Sequence, residues 1–163
     1  MNTLLIIAEE SEREMATRLF PAASVLVTGV GAINIYRSLN DIPRDTQLIN
    51  VGYAGSANFE IGTWVRVTES FLHHPNVKYP EPEQHLPTNI IQPATDIKFI
   101  EAPCYSAVDF VVQSPYNDCV FDMELAFICA MGFKNVHSYK YVSDNLSLHE
   151  YRDTANPVEL TVS

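Results

Sequence analysis

Short apolar runs alternate with amphipathic stretches along most of the chain. Leu4-Leu5-Ile6-Ile7-Ala8 is continuously apolar, the pattern of a strand buried on both faces. Glu9 to Leu19 then shows helical spacing. Met15, Ala16 and Leu19 share one face, acids fill the first turn where the helix dipole favours them, and Pro21 stops the run. Ser24 to Thr28 is a second β-rich run. Gly29-Val30-Gly31 turns it into a helical stretch ending near Leu39. Leu48-Ile49-Asn50-Val51 predicts a third strand, closed by a turn over Gly52-Tyr53-Ala54-Gly55-Ser56. Gly62 opens an alternating strand from Thr63 to Phe71.

His73 to Pro93 carries five prolines and predicts a long surface loop. Ile97 to Val112 holds one or two more strands. Phe121 to Met131 reads as an apolar helix with Asp122 and Glu124 at its mouth, Asp122 being the expected N-cap. Val136 to Val142 is a last strand, ending in Ser143-Asp144. Strands alternating with helices predict one α/β domain over residues 1–163, with a largely parallel sheet.

The strand ends add a functional signal. Strand one ends in Ala8-Glu9-Glu10-Ser11-Glu12, strand two in Thr28-Gly29, strand three in Asn50-Val51-Gly52, and the last in Ser143-Asp144. In open α/β sheets ligands bind outside the carboxyl ends of the strands, so four segments can supply one cleft. Charges seldom start a buried segment without a partner or a task, which singles out Glu124 and Asp144.

Composition narrows the partners. The net charge of -10 leaves no excess of Lys or Arg for nucleic acid or an anionic membrane. No run approaches a membrane span, and the first apolar run lacks the basic flank of a signal peptide. Three irregularly spaced cysteines, Cys104, Cys119 and Cys129, suit neither a disulfide framework nor a zinc site. These readings together point to a cytoplasmic protein. Gly29-Val30-Gly31-Ala32-Ile33-Asn34 lacks the third glycine and the distant acid of a dinucleotide fingerprint. His73-His74 has no third ligand at supporting spacing, so no metal and no organic cofactor is expected.

The ordered motifs resemble the purine nucleoside phosphorylase and nucleosidase superfamily. They are most similar to methylthioadenosine/S-adenosylhomocysteine nucleosidases and futalosine hydrolases. The carriers are Ala8 to Glu12, Thr28 to Asn34, Ile49 to Gly55, Gly62, Asp122-Met123-Glu124 and Val142-Ser143-Asp144, spanning about Leu4 to Leu146. The resemblance implies a three-layer α/β/α domain with a mixed, largely parallel central sheet. The chain reads as a reduced member: Pro21 to Thr28 is too short for the family's extra strand pair, and His149 to Ser163, with Pro157, is a poor version of its C-terminal helix.

The resemblance also implies roles. Glu124 would accept the ribose hydroxyls, Asp144 would protonate the purine at N7, and Glu12 would activate water. Met123 and Gly52 lie in the matching motifs, and Phe110 stands where an aromatic stacks on the base. Tyr53 replaces a small hydroxyl residue and Lys140 an arginine, both at the water or phosphate end. The expected reaction is hydrolysis of a purine nucleoside or 5′-thionucleoside. Phosphorolysis and a non-catalytic nucleoside-binding protein are the alternatives. A homodimer is implied, with His73 to Pro93 as lid or interface.

Overall fold

The computed structural model describes residues 2–73, 91–114 and 116–155. The expected loop from His73 to Pro93 therefore lies largely outside the described residues, as does the end of the C-terminal segment. The elements are β1 (Thr3–Ile7), α1 (Arg13–Leu19), β2 (Ser24–Val27), α2 (Ala32–Leu39), β3 (Gln47–Gly55) and β4 (Trp64–Leu72), followed by β5 (Ile100–Ser106), β6 (Val120–Asp122), α3 (Leu125–Cys129), β7 (Asn135–Asp144) and α4 (Leu148–Ala155). A 3-10 turn, Glu10–Glu12, leads into α1.

The strands form one mixed sheet in the order β2-β1-β3-β6-β5-β4-β7. Parallel pairing joins β1 to β2, β1 to β3, β3 to β7, β4 to β5 and β5 to β6. Only β3–β6 and β4–β7 are antiparallel among the described strands. The β3–β7 ladder also returns the last strand to the middle of the sheet, so part of the sheet closes on itself. β3 allows this by its length. Its first half lies between β1 and β7, and its end runs past β1 to meet β6 at Gly55–Phe121.

Both faces of the sheet are covered, which explains the unbroken apolar run of β1. Leu5 and Ile7 pack with Ala16 and Leu19 of α1 and with Tyr139. Ile6 faces the other way, among Ile35 and Leu39 of α2 and Leu125 and Ile128 of α3. Each such side chain contributes about 1.5–3 kcal/mol by leaving water. The layered α/β/α arrangement therefore follows from where the apolar positions lie. No helix among the described residues is long and apolar enough to cross a membrane.

Three local expectations are corrected. Gly52 to Gly55 is not a closing turn but the second half of β3, paired with Lys140 to Asp144 of β7. Its backbone groups are satisfied by that ladder, so its glycines serve another purpose. The helix expected over Phe121 to Met131 shrinks to Leu125–Cys129, because Val120–Asp122 pairs as β6 between β5 and β3. A segment apolar on all sides carries no periodicity to separate strand from helix. Asp122 is not the N-cap of α3; Glu124 holds that position, although the Asp122 carboxylate still accepts the Leu125 N–H at 2.9 Å. The one or two strands expected between Ile97 and Val112 are one among the described residues, β5.

Candidate active site

The carboxyl ends of β1, β3, β6 and β7 open into one cleft. Its walls include Glu9, Glu12, Tyr53, Phe110, Met123, Glu124, Asp144 and Tyr151. Six of the residues singled out in the sequence thus meet in one place: Glu12, Tyr53, Phe110, Met123, Glu124 and Asp144. Gly52 and Lys140 do not line the cleft; they stand behind it.

Glu12 is buried at the end of the 3-10 turn. Its Oε1 accepts the N–H groups of Ala8 (2.8 Å) and Glu9 (3.1 Å), and its Oε2 accepts the Tyr53 N–H (2.7 Å). Burial pushes its carboxyl up to about 7, against the pull of the Tyr53 and Ala8 amides and of the Lys140 charge. Gly52 makes this position possible. A Cβ there would lie 2.6 Å from Glu12 Oε2.

Asp144 is handled in the same way three residues further along β3. Its Oδ1 accepts the Ser143 hydroxyl at 2.7 Å and its Oδ2 the Leu146 N–H at 3.0 Å. A Cβ on Gly55 would come 2.7 Å from Oδ2. The β3–β7 register shifts here, with Ala54 opposite Val142 and Gly55 opposite Asp144. The extra residue, Ser143, is a bulge that re-aims the carboxylate. Burial raises the Asp144 carboxyl above its ordinary range, while Ser143 and the following backbone amides oppose the shift. The two glycines that read as turn residues are therefore gaps in a strand, each holding a carboxylate.

Glu124 comes from the opposite side. Gly31, at the start of α2, donates its N–H to Oε2 at 2.9 Å. Burial, and next the negative charge of Asp122, push this carboxyl up to about 8, with Lys140 working against them. Lys140 itself is completely buried, and its Nζ lies 2.9 Å from Asp122 Oδ2. Asp122 also accepts the Ser106 hydroxyl and the Leu125 N–H, and Ser106 accepts the Ala126 N–H at 2.9 Å. Burial opposes ionisation of both partners, but their mutual attraction outweighs it: Asp122 is held below the usual carboxylate range and Lys140 above the usual amine range. Lys140 therefore underpins the floor of the cleft rather than offering its charge to a ligand.

Tyr53 closes one wall. Its hydroxyl donates to the Ser11 carbonyl at 3.1 Å, and burial raises its phenol to about 12. Its ring meets Tyr141 and Tyr151 edge-on, with centroids 6.2 and 6.1 Å apart. Tyr151 also packs against Phe110 at 5.7 Å and donates its hydroxyl to Glu9 Oε1. Sequence reasoning missed Glu9 and Tyr151. Glu9 was hidden among neighbouring acids, and Tyr151 sits on a weakly patterned helix.

No Lys, Arg or His occurs among the described residues of the wall. The arrangement can hold a neutral or cationic ligand against several desolvated carboxyls, with aromatic rings to cover an apolar part. It is poorly suited to an anion.

No family model matches the chain, and no curated protein matches it either. Solved structures do. The MTAN protein of Chlamydia trachomatis superposes with a TM-score of 0.69 at 18% identity, over 99% of this chain and 95% of that one. The 5′-methylthioadenosine/S-adenosylhomocysteine nucleosidase of Neisseria meningitidis, in complex with methylthio-immucillin-A, gives 0.68 at 17% identity, over 95% and 92%. The MTA/SAH nucleosidase of Streptococcus pneumoniae, in complex with 8-aminoadenine, gives 0.67 at 16% identity, over 99% and 96%. At such identities the likeness establishes the fold: this chain has the architecture of these nucleosidases.

Proposed function

We propose that the protein is a purine nucleosidase, cleaving the N-glycosidic bond of a purine nucleoside or 5′-thionucleoside with water. The observation that carries this reading is the convergence of Glu12, Glu124 and Asp144 from distant parts of the chain on one cleft, with all three carboxyls buried. The fold shared with nucleosidases that bind adenine-like ligands supports it.

Each carboxyl suits one part of the reaction. Glu124 accepts hydrogen bonds from adjacent ribose hydroxyls, which a carboxylate can take together. Asp144, as the acid, shares its proton with N7 and removes negative charge from the leaving base. Glu12 accepts the proton of the attacking water. Met123 and Phe110 flank the sugar and base. Hydrolysis is preferred to phosphorolysis because a wall with several acids and no described cation repels phosphate.

Incubation with a panel of purine nucleosides, with and without phosphate, tests the assignment. Base release without phosphate is the expected result. Release only with phosphate would make the protein a phosphorylase, and binding without turnover would leave a binding protein. Glu12 must be ionised to act and Glu124 accepts the diol as a carboxylate, so kcat/KM is expected to rise with pH through about 7 to about 8. Glu12→Gln should lower the rate about 10²-fold or more and leave only the part of the rise that belongs to Glu124.

A homodimer is part of the same proposal. Val30 lines the cleft and continues into the exposed Ile33 (73% exposed) and Tyr36 of α2. Val108 and Val112, 64% and 65% exposed, flank Phe110 and Val111 on the cleft wall. Apolar residues gathered around the mouth of a site suit a second copy of the chain that closes it. Sedimentation should give a dimer, and Ile33→Glu should shift it to monomer. A wild-type monomer at all concentrations would overturn this. A cytoplasmic setting suits the buried thiols of Cys104 and Cys119.

A further inference from the structure

We infer that Glu9 and Tyr151 form the subsite for the nucleoside's 5′ substituent, and that this subsite selects a substituent bearing a hydrogen-bond donor over a thioether. The inference rests on the nucleosidase reading and sharpens its substrate class. Under that reading a nucleoside presents four parts to the cleft: the base edge, the ribose diol, the face attacked by water and the 5′ substituent. Asp144, Glu124 and Glu12 meet the first three. Glu9 is the remaining carboxylate on the wall that is not tied to a buried cation, and Tyr151 is bonded to it.

The pair is firmly placed. Glu9 directly follows Ala8, whose N–H is bound to Glu12, and its own N–H is bound there too. Tyr151 is held by the rings of Tyr53 and Phe110, and its helix α4 is tied to β7 by the Thr154 hydroxyl, which donates to the Ser143 carbonyl at 3.0 Å. Glu9 is half-buried, so it meets both the cleft and solvent. The Glu9 carboxylate accepts from Tyr151 and, in a capping box, from the Glu12 N–H, and its remaining lone pairs are left for a ligand donor. A 5′-hydroxyl or a 5′-ammonium supplies that donor. A thioether supplies none and strips water from Glu9 without replacing it. A 5′-phosphate meets like charge.

The experiment compares kcat/KM for adenosine, 5′-amino-5′-deoxyadenosine, 5′-methylthioadenosine and 5′-AMP, in the wild type and in Glu9→Leu, Glu9→Gln and Tyr151→Phe. The wild type should favour the first two over the thioether by roughly tenfold or more, with 5′-AMP the poorest. Glu9→Leu should remove or invert that preference. Glu9→Gln keeps a hydrogen-bonding oxygen without the charge, so it should retain the hydroxyl preference and lose the amine preference. Tyr151→Phe removes the donor that orients Glu9 and should weaken both preferences without abolishing them, whereas preferences equal to wild type would take Tyr151 out of the subsite. Thioether preference in the wild type, or a ratio unchanged in Glu9→Leu, overturns the subsite while leaving the nucleosidase reading intact. Failure of the wild type to release base from any of the four, and from inosine and guanosine beside them, overturns the nucleosidase reading, and the subsite with it.

Discussion

Asp144→Asn is expected to lower base release by about 10²–10⁴-fold while the nucleoside still binds. Asparagine has the shape of aspartate, so it can keep its place beside Ser143 and the Leu146 N–H and fill the gap left by Gly55. What it lacks is a proton of suitable acidity to share with N7. The residual rate then reflects Glu12, Glu124 and orientation alone. Adenine release under single turnover measures the loss, and calorimetric titration with the same nucleoside shows whether binding persists. Activity equal to wild type would remove Asp144 from the role of acid. Loss of binding together with activity would make it a residue of the fold rather than of the reaction.

Lys140→Met carries the largest expected cost in stability, about 3–5 kcal/mol, because it strands Asp122 without its counter-charge inside the protein. Methionine fills most of the lysine volume, so the loss reports charge rather than a cavity. Asp122→Asn combined with Lys140→Met should recover a large part of it, since asparagine can still accept from Leu125 and bond to Ser106. Denaturant unfolding of wild type, both singles and the double gives the coupling directly. The sign with pH is defined. Asp122 is held below its ordinary value, so its contribution is present above that value and fades as pH falls through the depressed one. The gap between wild type and Lys140→Met should therefore narrow in acid. A gap independent of pH would mean that packing, not the ion pair, sets the cost. The variant also bears on the site: Lys140 favours the ionised form of Glu124, so removing it should weaken binding of the ribose diol at neutral pH.

Much of this arrangement was legible because it is local. The continuous apolar run of β1, the acids that follow it and the Ser143-Asp144 end of β7 are written in adjacent residues. Strand ends of a parallel sheet gather on one side, so the sequence alone places Glu12 and Asp144 in a common cleft. Glu124 was suspect because a carboxylate opened a buried segment. Other features were misread for a definite reason. Gly52 and Gly55 look like turn glycines unless one knows that a carboxylate from another segment fills the space above each. Phe121 and Asp122 look like the start of a helix until their neighbours in β5 and β3 are known.

Adjacent residues carried the alternation of strands and helices, the largely parallel α/β class and the signal at Glu124 and Asp144, since periodicity and strand-end chemistry act between near neighbours; the three layers and the role of Glu12 came from the family resemblance. Which charges meet was settled by the packing of the whole chain. That packing closed the sheet through β3 and β7, sealed Lys140 against Asp122 beneath Glu124, and brought Tyr151 across to Glu9. Desolvation and pairing depend on what lies on all sides of a group. For residues separated by most of the chain, that is a property of the packed fold.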